Sequence, residues 1–213
     1  MIRAKNLSKM YHDVRAVQDV SFEITTPGST ILFGRSGSGK TTLLRLLAGL
    51  EIPDAGEIYL ENKLVSKQGA AFAPHHRNIG FVFQQPALWP HMKISENIGF
   101  GLYRLGKKEA EERVQEVLEQ TGLSALAGRY PDQVSAGQAR RAALARAIAP
   151  KPKYLLMDEP LTNIDTQSKE ALITLIQDIS RDKQTFILYV SHDAQEVQQI
   201  SGRILKIENG RLQ

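Results

Sequence analysis

The sequence predicts an α/β protein with a mostly parallel core sheet, an N-terminal antiparallel β subdomain and an inserted α-helical subdomain. Three observations support this fold class. Polar and apolar residues alternate at 2–7 and 17–24, which is typical of antiparallel strands with one buried face. Further along, apolar runs alternate with helical segments, which favours parallel strands. Between residues 84 and 149 the apolar spacing is helical throughout.

The strands and turns follow from short apolar runs and from the residues that interrupt them. A Pro27-Gly28 turn ends the antiparallel region, and the helix after the first core strand is expected to end near Gly49. A second turn at residues 53–56 leads into a short strand, and Asn209-Gly210 is a hairpin turn. The expected strands of this part lie, in chain order, at residues 31–33, 57–60, 79–83, 154–157, 186–190 and 204–207.

Two helical patterns mark the insertion. One carries apolar residues at helical spacing, and the other is an alanine-rich run at 138–149 whose arginines we expect on its polar sides. We therefore treat the chain, 1–213, as one domain in which 1–83 and 150–213 form the α/β core and 84–149 form the helical subdomain. The residues on which the two patterns rest are Ala110, Val114, Val117, Leu118 and Thr121, and Arg140, Arg141 and Arg146.

Composition limits the possible functions. The 213 residues suffice for one sizeable core, and 27 Lys and Arg against 23 Asp and Glu give a net charge of only +4 without a basic stripe, so no nucleic-acid partner is expected. The absence of cysteine excludes disulfides and thiolate metal sites. No apolar run approaches the roughly 18 residues needed to span a bilayer, and residues 1–5 lack the apolar core of a secretion signal. We expect a soluble, cytoplasmic chain.

A glycine-rich loop between strand and helix predicts phosphate binding. It fits the pattern of Gly, four residues, then Gly-Lys-Thr, and its backbone amides and helix N-terminus would surround an anion. Lys40 would reach the β- and γ-phosphates, and the Thr41 hydroxyl would ligate Mg²⁺. The alternative is a glycine-rich turn with an incidental lysine. The residues assigned to the phosphates are Gly34, Arg35, Ser36, Gly37, Ser38, Gly39, Lys40, Thr41 and Thr42.

Two carboxylates complete the predicted site of nucleoside triphosphate hydrolysis. Asp158 and Glu159 follow a buried-type strand, and ligands bind at the carboxyl ends of strands in open α/β sheets. Asp158 would hold Mg²⁺ through its water shell, and Glu159 would act as general base on the attacking water. Adjacent acids at a strand end can also be a helix cap or a solvated turn. With the phosphate loop, the pair predicts a P-loop NTPase.

The motif order from Tyr11 to the final hairpin resembles that of the nucleotide-binding subunits of ATP-binding cassette (ABC) transporters. In that family, residues matching Tyr11 stack on adenine, those matching Gln84 join core and helical lobe and ligate Mg²⁺, and those matching His192 contact the γ-phosphate. Residues 134–138 match the family signature, and the loop at 161–165 ends in Asp165. A structural role is the alternative for each residue: Tyr11 could pack on the sheet, Gln84 could be a satisfied polar residue, and His192 could precede a helix cap in which Asp193 and Glu196 form a capping-box-like pair.

The resemblance implies that the active ATPase is a dimer, of which this chain is one subunit. Ser135, Ala136, Gly137 and Gln138 would bind the γ-phosphate of ATP held by a second subunit, a copy or a homologue, in a head-to-tail dimer. ATP and Mg²⁺ are the implied cofactors. The family signature commonly has glycine at the position of Ala136, so we expect the methyl group to crowd the phosphate or to require a positive φ.

The resemblance also implies a role in transport. The residue pattern at 84–102 resembles importer subunits for small solutes, in which the segment matching 85–92 helps to form the groove for a coupling helix of the permease. The implied partners are integral membrane permease subunits and a solute-binding protein, with the chain peripheral on the inner face of the membrane. No C-terminal regulatory domain is expected. The alternatives are a soluble ABC ATPase that acts on nucleic acid or protein, and a kinase.

Overall fold

The computed structural model describes residues 1–181 and 184–213. In these residues no helix is both long enough and apolar enough to cross a membrane. The strands are β1 (Ile2–Tyr11), β2 (Val14–Ile24), β3 (Gly28–Phe33), β4 (Ala55–Leu60), β5 (Lys63–Lys67), β6 (Ala70–Ala71), β7 (Ile79–Val82), β8 (Tyr154–Asp158), β9 (Phe186–Ser191), β10 (Arg203–Glu208) and β11 (Arg211–Leu212). The α-helices are α1 (Lys40–Ala48), α2 (Ile94–Gly99), α3 (Lys107–Gln120), α4 (Ala136–Ile148), α5 (Thr166–Arg181) and α6 (Ala194–Gln199).

The strands form two sheets, and this confirms the predicted fold class. The first sheet is antiparallel with the order β2-β1-β4-β5-β6, and it contains the N-terminal strands. The second has the order β11-β10-β3-β9-β8-β7, and its neighbours pair in parallel except for the β10–β11 hairpin. The segment between β7 and β8 holds α2, α3 and α4. The subdomain boundaries at 83/84 and 149/150 stay a prediction.

The parallel sheet separates two hydrophobic cores. Every residue of β8 is buried, and its side chains alternate between the faces: Leu155 and Met157 pack in the core that contains α4 and α5, whereas Tyr154 and Leu156 pack in the core that contains α1. The α1 core also contains residues of the antiparallel sheet. Helix α1 therefore lies between the two sheets.

The predicted end of α1 is confirmed. Gly49 has a φ of +77°, the left-handed conformation that ends many helices, and its amide donates to carbonyl oxygens of the last turn. The expected strands are present within one or two residues of the predicted bounds, with two exceptions. Strand β3 begins three residues earlier, at Gly28, and β1 and β2 run further toward each other, to Tyr11 and from Val14.

The prediction that the arginines of α4 lie on polar sides is wrong for Arg140. Only 7 % of this residue is exposed, and its guanidinium donates to the carbonyl oxygens of Gln84 and Thr162. Arg146 is half-buried and donates to the carbonyl oxygens of Pro86 and Ala87. The reason is that these side chains donate hydrogen bonds to backbone carbonyl oxygens of two loops beside the helix, a role that residue type alone does not reveal.

Arg77 ties the end of α1 to the antiparallel sheet. Its guanidinium is buried, and burial lowers the pKa of Arg77 to about 10, so that the group stays charged at neutral pH. A cation at a helix C-terminus also interacts favourably with the helix dipole. Its donors reach the carbonyl oxygens of Leu46, Leu47, Val65 and Phe72 and the hydroxyl oxygen of Ser66.

Replacement of Arg77 by methionine is expected to lower the free energy of unfolding by about 2–4 kcal/mol, because it leaves several buried acceptors without a donor. Urea denaturation measures the change. Arg3→Met is the control, because Arg3 lies at the surface in an ion pair with Glu23, and it should leave the midpoint almost unchanged. A similar midpoint for both variants would contradict the role of Arg77.

Candidate nucleotide-binding site

The glycine-rich loop between β3 and α1 has the conformation that phosphate binding requires. Gly37 and Gly39 have φ values of +78° and +101°. A Cβ atom on Gly39 would lie 2.1 Å from the carbonyl oxygen of Ala16, so only glycine fits this position. Helix α1 begins at the next residue, Lys40, so its free amides open onto the loop.

Lys40 lies inside the loop. Its ammonium group donates to the carbonyl oxygens of Gly34 and Arg35, both at 2.8 Å, and its Nζ lies 3.6 Å from Oε1 of Glu159. Burial lowers the pKa of Lys40, and the charge of Glu159 opposes this shift. Nearby, the buried Oγ of Ser38 has no hydrogen-bond partner among the described residues, which suits a loop that completes its contacts with a ligand.

Thr41 and Asp158 converge at the start of α1. The Thr41 hydroxyl donates to Oδ1 of Asp158 at 2.9 Å. Asp158 is the last residue of β8, and burial raises the pKa of its carboxyl group, while the hydrogen bond from Thr41 lowers it. A hydroxyl oxygen and a carboxylate oxygen at this spacing belong to the donor types that Mg²⁺ prefers. These residues therefore fit a magnesium ion beside the loop.

Glu159 and His192 meet at the carboxyl ends of adjacent strands. Nδ1 of His192 lies 3.1 Å from Oε1 of Glu159, and only 13 % of the Glu159 side chain is exposed. Glu159 has a φ of +46°, which is unusual for a residue with a Cβ atom. Its amide donates to the carbonyl oxygen of Val190 in β9, at 3.2 Å. Strained residues of this kind are frequent in active sites.

Two cavities share this centre. One, of about 420 Å³, is lined by the loop, by Lys40, Thr41 and Thr42, and by Gln84 and Glu159. The other, of about 470 Å³, shares Gln84 and Glu159 with the first and adds His192. A larger cavity of about 920 Å³ lies beside α3, away from Lys40. The two smaller cavities are the candidate nucleotide site, because residues of the loop, Lys40 and Glu159 line them.

Several residues of the predicted site do not line these two cavities: Gly34, Arg35, Ser38, Asp158, Tyr11, Asp165 and the four signature residues. Tyr11 is at the end of β1 with 37 % of its surface exposed, and burial together with the charge of Glu51 raises its pKa. Asp165 accepts a hydrogen bond from the Ser168 amide at 2.9 Å, and hydrogen bonding by the side chain and then the amide of Ser168 lowers the pKa of Asp165. The four signature residues at 135–138 line neither cavity. Within one chain, therefore, the four signature residues take no part in the cavities that Lys40 and His192 line.

The signature residues begin α4. Ser135 is the N-cap and exchanges hydrogen bonds with Gln138 in a capping box. Ala136 is exposed and helical, so the expectation of a positive φ there is wrong: the position lies in the first turn of a helix, which alanine favours. Gly137 is the constrained position, since a Cβ atom there would lie 2.1 Å from Oγ of Ser168.

The capping-box alternative for the segment after His192 is also wrong. Asp193 caps α6 by accepting from the Gln195 amide, but the carboxylate of Glu196 is buried elsewhere. It accepts hydrogen bonds from the hydroxyl groups of Tyr189 and Ser191, both at 2.7 Å. The spacing of Asp193 and Glu196 suggested this alternative, but the buried hydroxyl groups bind the Glu196 carboxylate instead.

Sequence reasoning missed the walls of the first cavity. They come from the start of β2, at Val14 to Ala16 and Gln18, and from the Asn209-Gly210 turn. The Gly210 amide donates to the carbonyl oxygen of Ser38 at 3.0 Å and so attaches the C-terminal hairpin to the loop. The Asn209-Gly210 turn is recognisable in the sequence, but no motif indicates that this turn or the start of β2 lies beside the glycine-rich loop.

The fold and the loop define the class of this protein as a P-loop nucleotide-binding protein. A family model described as "ABC transporter" matches residues 17–162. The chain belongs to the ABC transporter family. The sulfate/thiosulfate import ATP-binding protein CysA of Gloeobacter violaceus is 40 % identical over 98 % of this chain and 60 % of the relative, and the spermidine/putrescine import ATP-binding protein PotA of Roseobacter denitrificans is 41 % identical over 100 % of this chain and 58 % of the relative.

Solved structures agree with this assignment. The dimeric structure of MJ0796, a bacterial ABC transporter cassette, has a TM-score of 0.90 at 29 % identity, and it matches 100 % of this chain and 97 % of that one. A dimeric post-hydrolysis state of the same cassette, bound to ADP and Pi, has a TM-score of 0.88 at 29 % identity, with the same coverage of both chains. The chain spans about 60 % of the length of the curated relatives named above.

Replacement of Asp158 by asparagine is expected to raise the melting temperature of the nucleotide-free protein by a few degrees at pH 7. The folded-state pKa of Asp158 lies above its ordinary value, so ionisation costs stability above the unfolded-state pKa, and asparagine removes that cost while it can still accept from Thr41. Thermal unfolding in a chelating buffer measures the difference between variant and wild type. The difference should shrink as the pH falls through the folded-state pKa, and a constant difference at all pH values would contradict this origin.

Proposed function

We propose that the chain is the ATP-hydrolysing subunit of a membrane ABC transporter that imports a small solute. The observation that carries the proposal is the convergence of the Lys40, Glu159 and His192 side chains, at 3.6 Å and 3.1 Å, beside the glycine-rich loop. Import is supported by the names of the relatives, which are import ATP-binding proteins. Those names differ in solute, so the solute itself stays open.

The proposed catalytic role of each residue follows from the chemistry of its side chain. The loop amides and Lys40 would hold the phosphates of ATP, and Lys40 would exchange a backbone carbonyl for a phosphate oxygen. Glu159 would accept a proton from the attacking water, and His192 would orient Glu159 and the terminal phosphate. Thr41, Gln84 and Asp158 would hold Mg²⁺, which, when bound, neutralises charge on the phosphates.

We propose that the active form is a head-to-tail pair of cassettes. Ser135 is exposed at the N-terminus of α4 and lies outside the cavities of its own chain, so a second chain can use it. The dipole and the free N-terminal amides of α4 would then face the γ-phosphate of the ATP that the second chain binds. The dimeric state of the similar cassette structures supports this arrangement. The second chain is a copy or a homologous subunit.

The segment at 85–92 is our candidate for contact with permease subunits. Trp89 is half-buried and stacks on the exposed Phe100, with ring centroids 4.0 Å apart, so local packing accounts for part of the aromatic character. The exposed faces of Phe100 and Tyr103 remain for a partner helix. We further propose a peripheral location on the inner membrane face through the permease, and a solute-binding protein as a more distant partner.

The change Glu159→Gln tests the proposed function. It should lower kcat for ATP by about 100-fold or more while ATP binding persists, because glutamine keeps the shape but accepts no proton. Coupled phosphate release measures hydrolysis, and size-exclusion chromatography with ATP should show more dimer. Glu111→Gln on the exposed face of α3 is the matched control and should retain the wild-type rate. An unchanged turnover number for Glu159→Gln would remove this residue from the mechanism.

The change Ser135→Phe tests the dimer. It should lower kcat by about 100-fold without weakening ATP affinity of the monomer, because the phosphate that Ser135 contacts belongs to the other chain. Ser135→Ala serves as the comparison, since it removes the capping hydroxyl without adding bulk. Titration of monomer with a fluorescent ATP analogue measures affinity, and a loss of monomer affinity in Ser135→Phe would refute the assignment.

A further inference from the structure

Arg140 connects α4 to two loops of the site. It lies five residues after Ser135, on the same helix, with its side chain buried. Nη1 donates to the carbonyl oxygen of Gln84, and Nη2 donates to the carbonyl oxygen of Thr162 at 2.9 Å. A single guanidinium therefore bridges two backbone segments that are 78 residues apart in the sequence.

Both acceptors belong to segments that carry proposed functional groups. Gln84 lines both cavities of the site. Thr162 lines the cavity that contains His192, and its hydroxyl donates to the carbonyl oxygen of Glu159 at 2.9 Å. Since Glu159 has a strained φ of +46°, the turn that follows it needs external contacts to stay in place.

The chemistry of arginine suits this position. The guanidinium is planar and carries donors in a fixed fork, so one side chain can hold two carbonyl oxygens at a defined separation. Burial lowers the pKa of Arg140, yet an arginine remains charged at neutral pH, and hydrogen bonds from a charged donor are stronger than neutral ones. A lysine offers only a compact ammonium on a flexible stem.

We propose that Arg140 is a positioning residue, which sets Gln84 and the turn after Glu159 relative to the helix that begins at Ser135. This inference rests on the proposed function, because it connects the proposed ATP site to α4, the helix that Ser135 caps. A displacement of α4 would move both loops together. Arg146, which donates to the carbonyl oxygens of Pro86 and Ala87 at 3.1 Å and 2.7 Å, extends the same attachment along the segment after Gln84.

The variants Arg140→Met and Arg140→Lys test the proposal, with Arg141→Met as the matched control. Arg141 is the next residue of α4, and its buried Nε has no hydrogen-bond partner among the described residues. We expect kcat for ATP to fall about 10- to 100-fold in both Arg140 variants, with KM for ATP within about threefold of wild type. Arg141→Met should stay within about twofold of the wild-type kcat. A wild-type kcat for Arg140→Lys would overturn the proposal, because it would mean that a positive charge at this position is enough and that the two hydrogen bonds of the guanidinium are not needed.

Hydrogen exchange followed by mass spectrometry separates positioning from general destabilisation. We expect faster exchange in peptides that cover residues 84–88 and 159–165 of the Arg140 variants, with unchanged exchange in β9. Faster exchange spread evenly over the chain, or none in those peptides, would refute the role. If Arg140→Met does not fold, the comparison of Arg140→Lys with wild type still shows whether faster exchange is confined to these two loops.

Failure of the proposed function gives a different result. The assignment as an ATPase would be wrong if the wild-type protein showed no ATP hydrolysis, or only hydrolysis that persists in Glu159→Gln. The exchange measurement on unliganded protein would still test whether Arg140 holds both loops. If the wild type hydrolyses ATP and Arg140→Lys does so equally fast with unchanged exchange, only the inference about Arg140 fails.

Discussion

The in-register parallel pairing of β3, β9 and β8 determines where every proposed catalytic group lies. Phe33 pairs with Ser191 and Asp158 pairs with Val190, so the three strands end at one edge of the sheet. The glycine-rich loop and His192 directly follow β3 and β9, and the acidic pair lies at the end of β8, with Asp158 as its last residue. A shift of one residue in β8 would turn its side chains to the opposite face and separate Asp158 from Thr41.

Burial makes the charged groups at this edge unfavourable before any ligand binds. Desolvation lowers the pKa of Lys40 and raises that of Asp158, so both groups are less stable in their charged forms than they are in water. Carbonyl oxygens, the Thr41 hydroxyl and the neighbouring Glu159 compensate in part. A phosphate and a divalent cation would supply stronger partners, so the free energy of ligand binding would include relief of this desolvation cost.

Buried arginines that donate hydrogen bonds to backbone carbonyl oxygens occur at two places in the structure. Arg77 joins α1 to the antiparallel sheet, and Arg140 joins α4 to the two loops of the site. In each case a buried guanidinium joins a helix to a distant segment through backbone carbonyl oxygens, in β5 for Arg77 and in two loops for Arg140. This explains why elements from distant parts of the sequence can keep fixed positions around the nucleotide cavity.

The sequence by itself determined the mixed fold and the order of the core strands and helices, and it selected Lys40, Thr41, Asp158 and Glu159 as a candidate site. These features depend on local periodicity and on motifs whose spacing has a direct physical meaning, so they can be recognised without coordinates. Only the tertiary structure decided the burial of Arg140, the partners of Glu196, and the constraint at Gly137 rather than at Ala136. Each of these depends on a contact between side chains or segments that local sequence does not bring together, and without that contact the residue is indistinguishable from an ordinary helical residue.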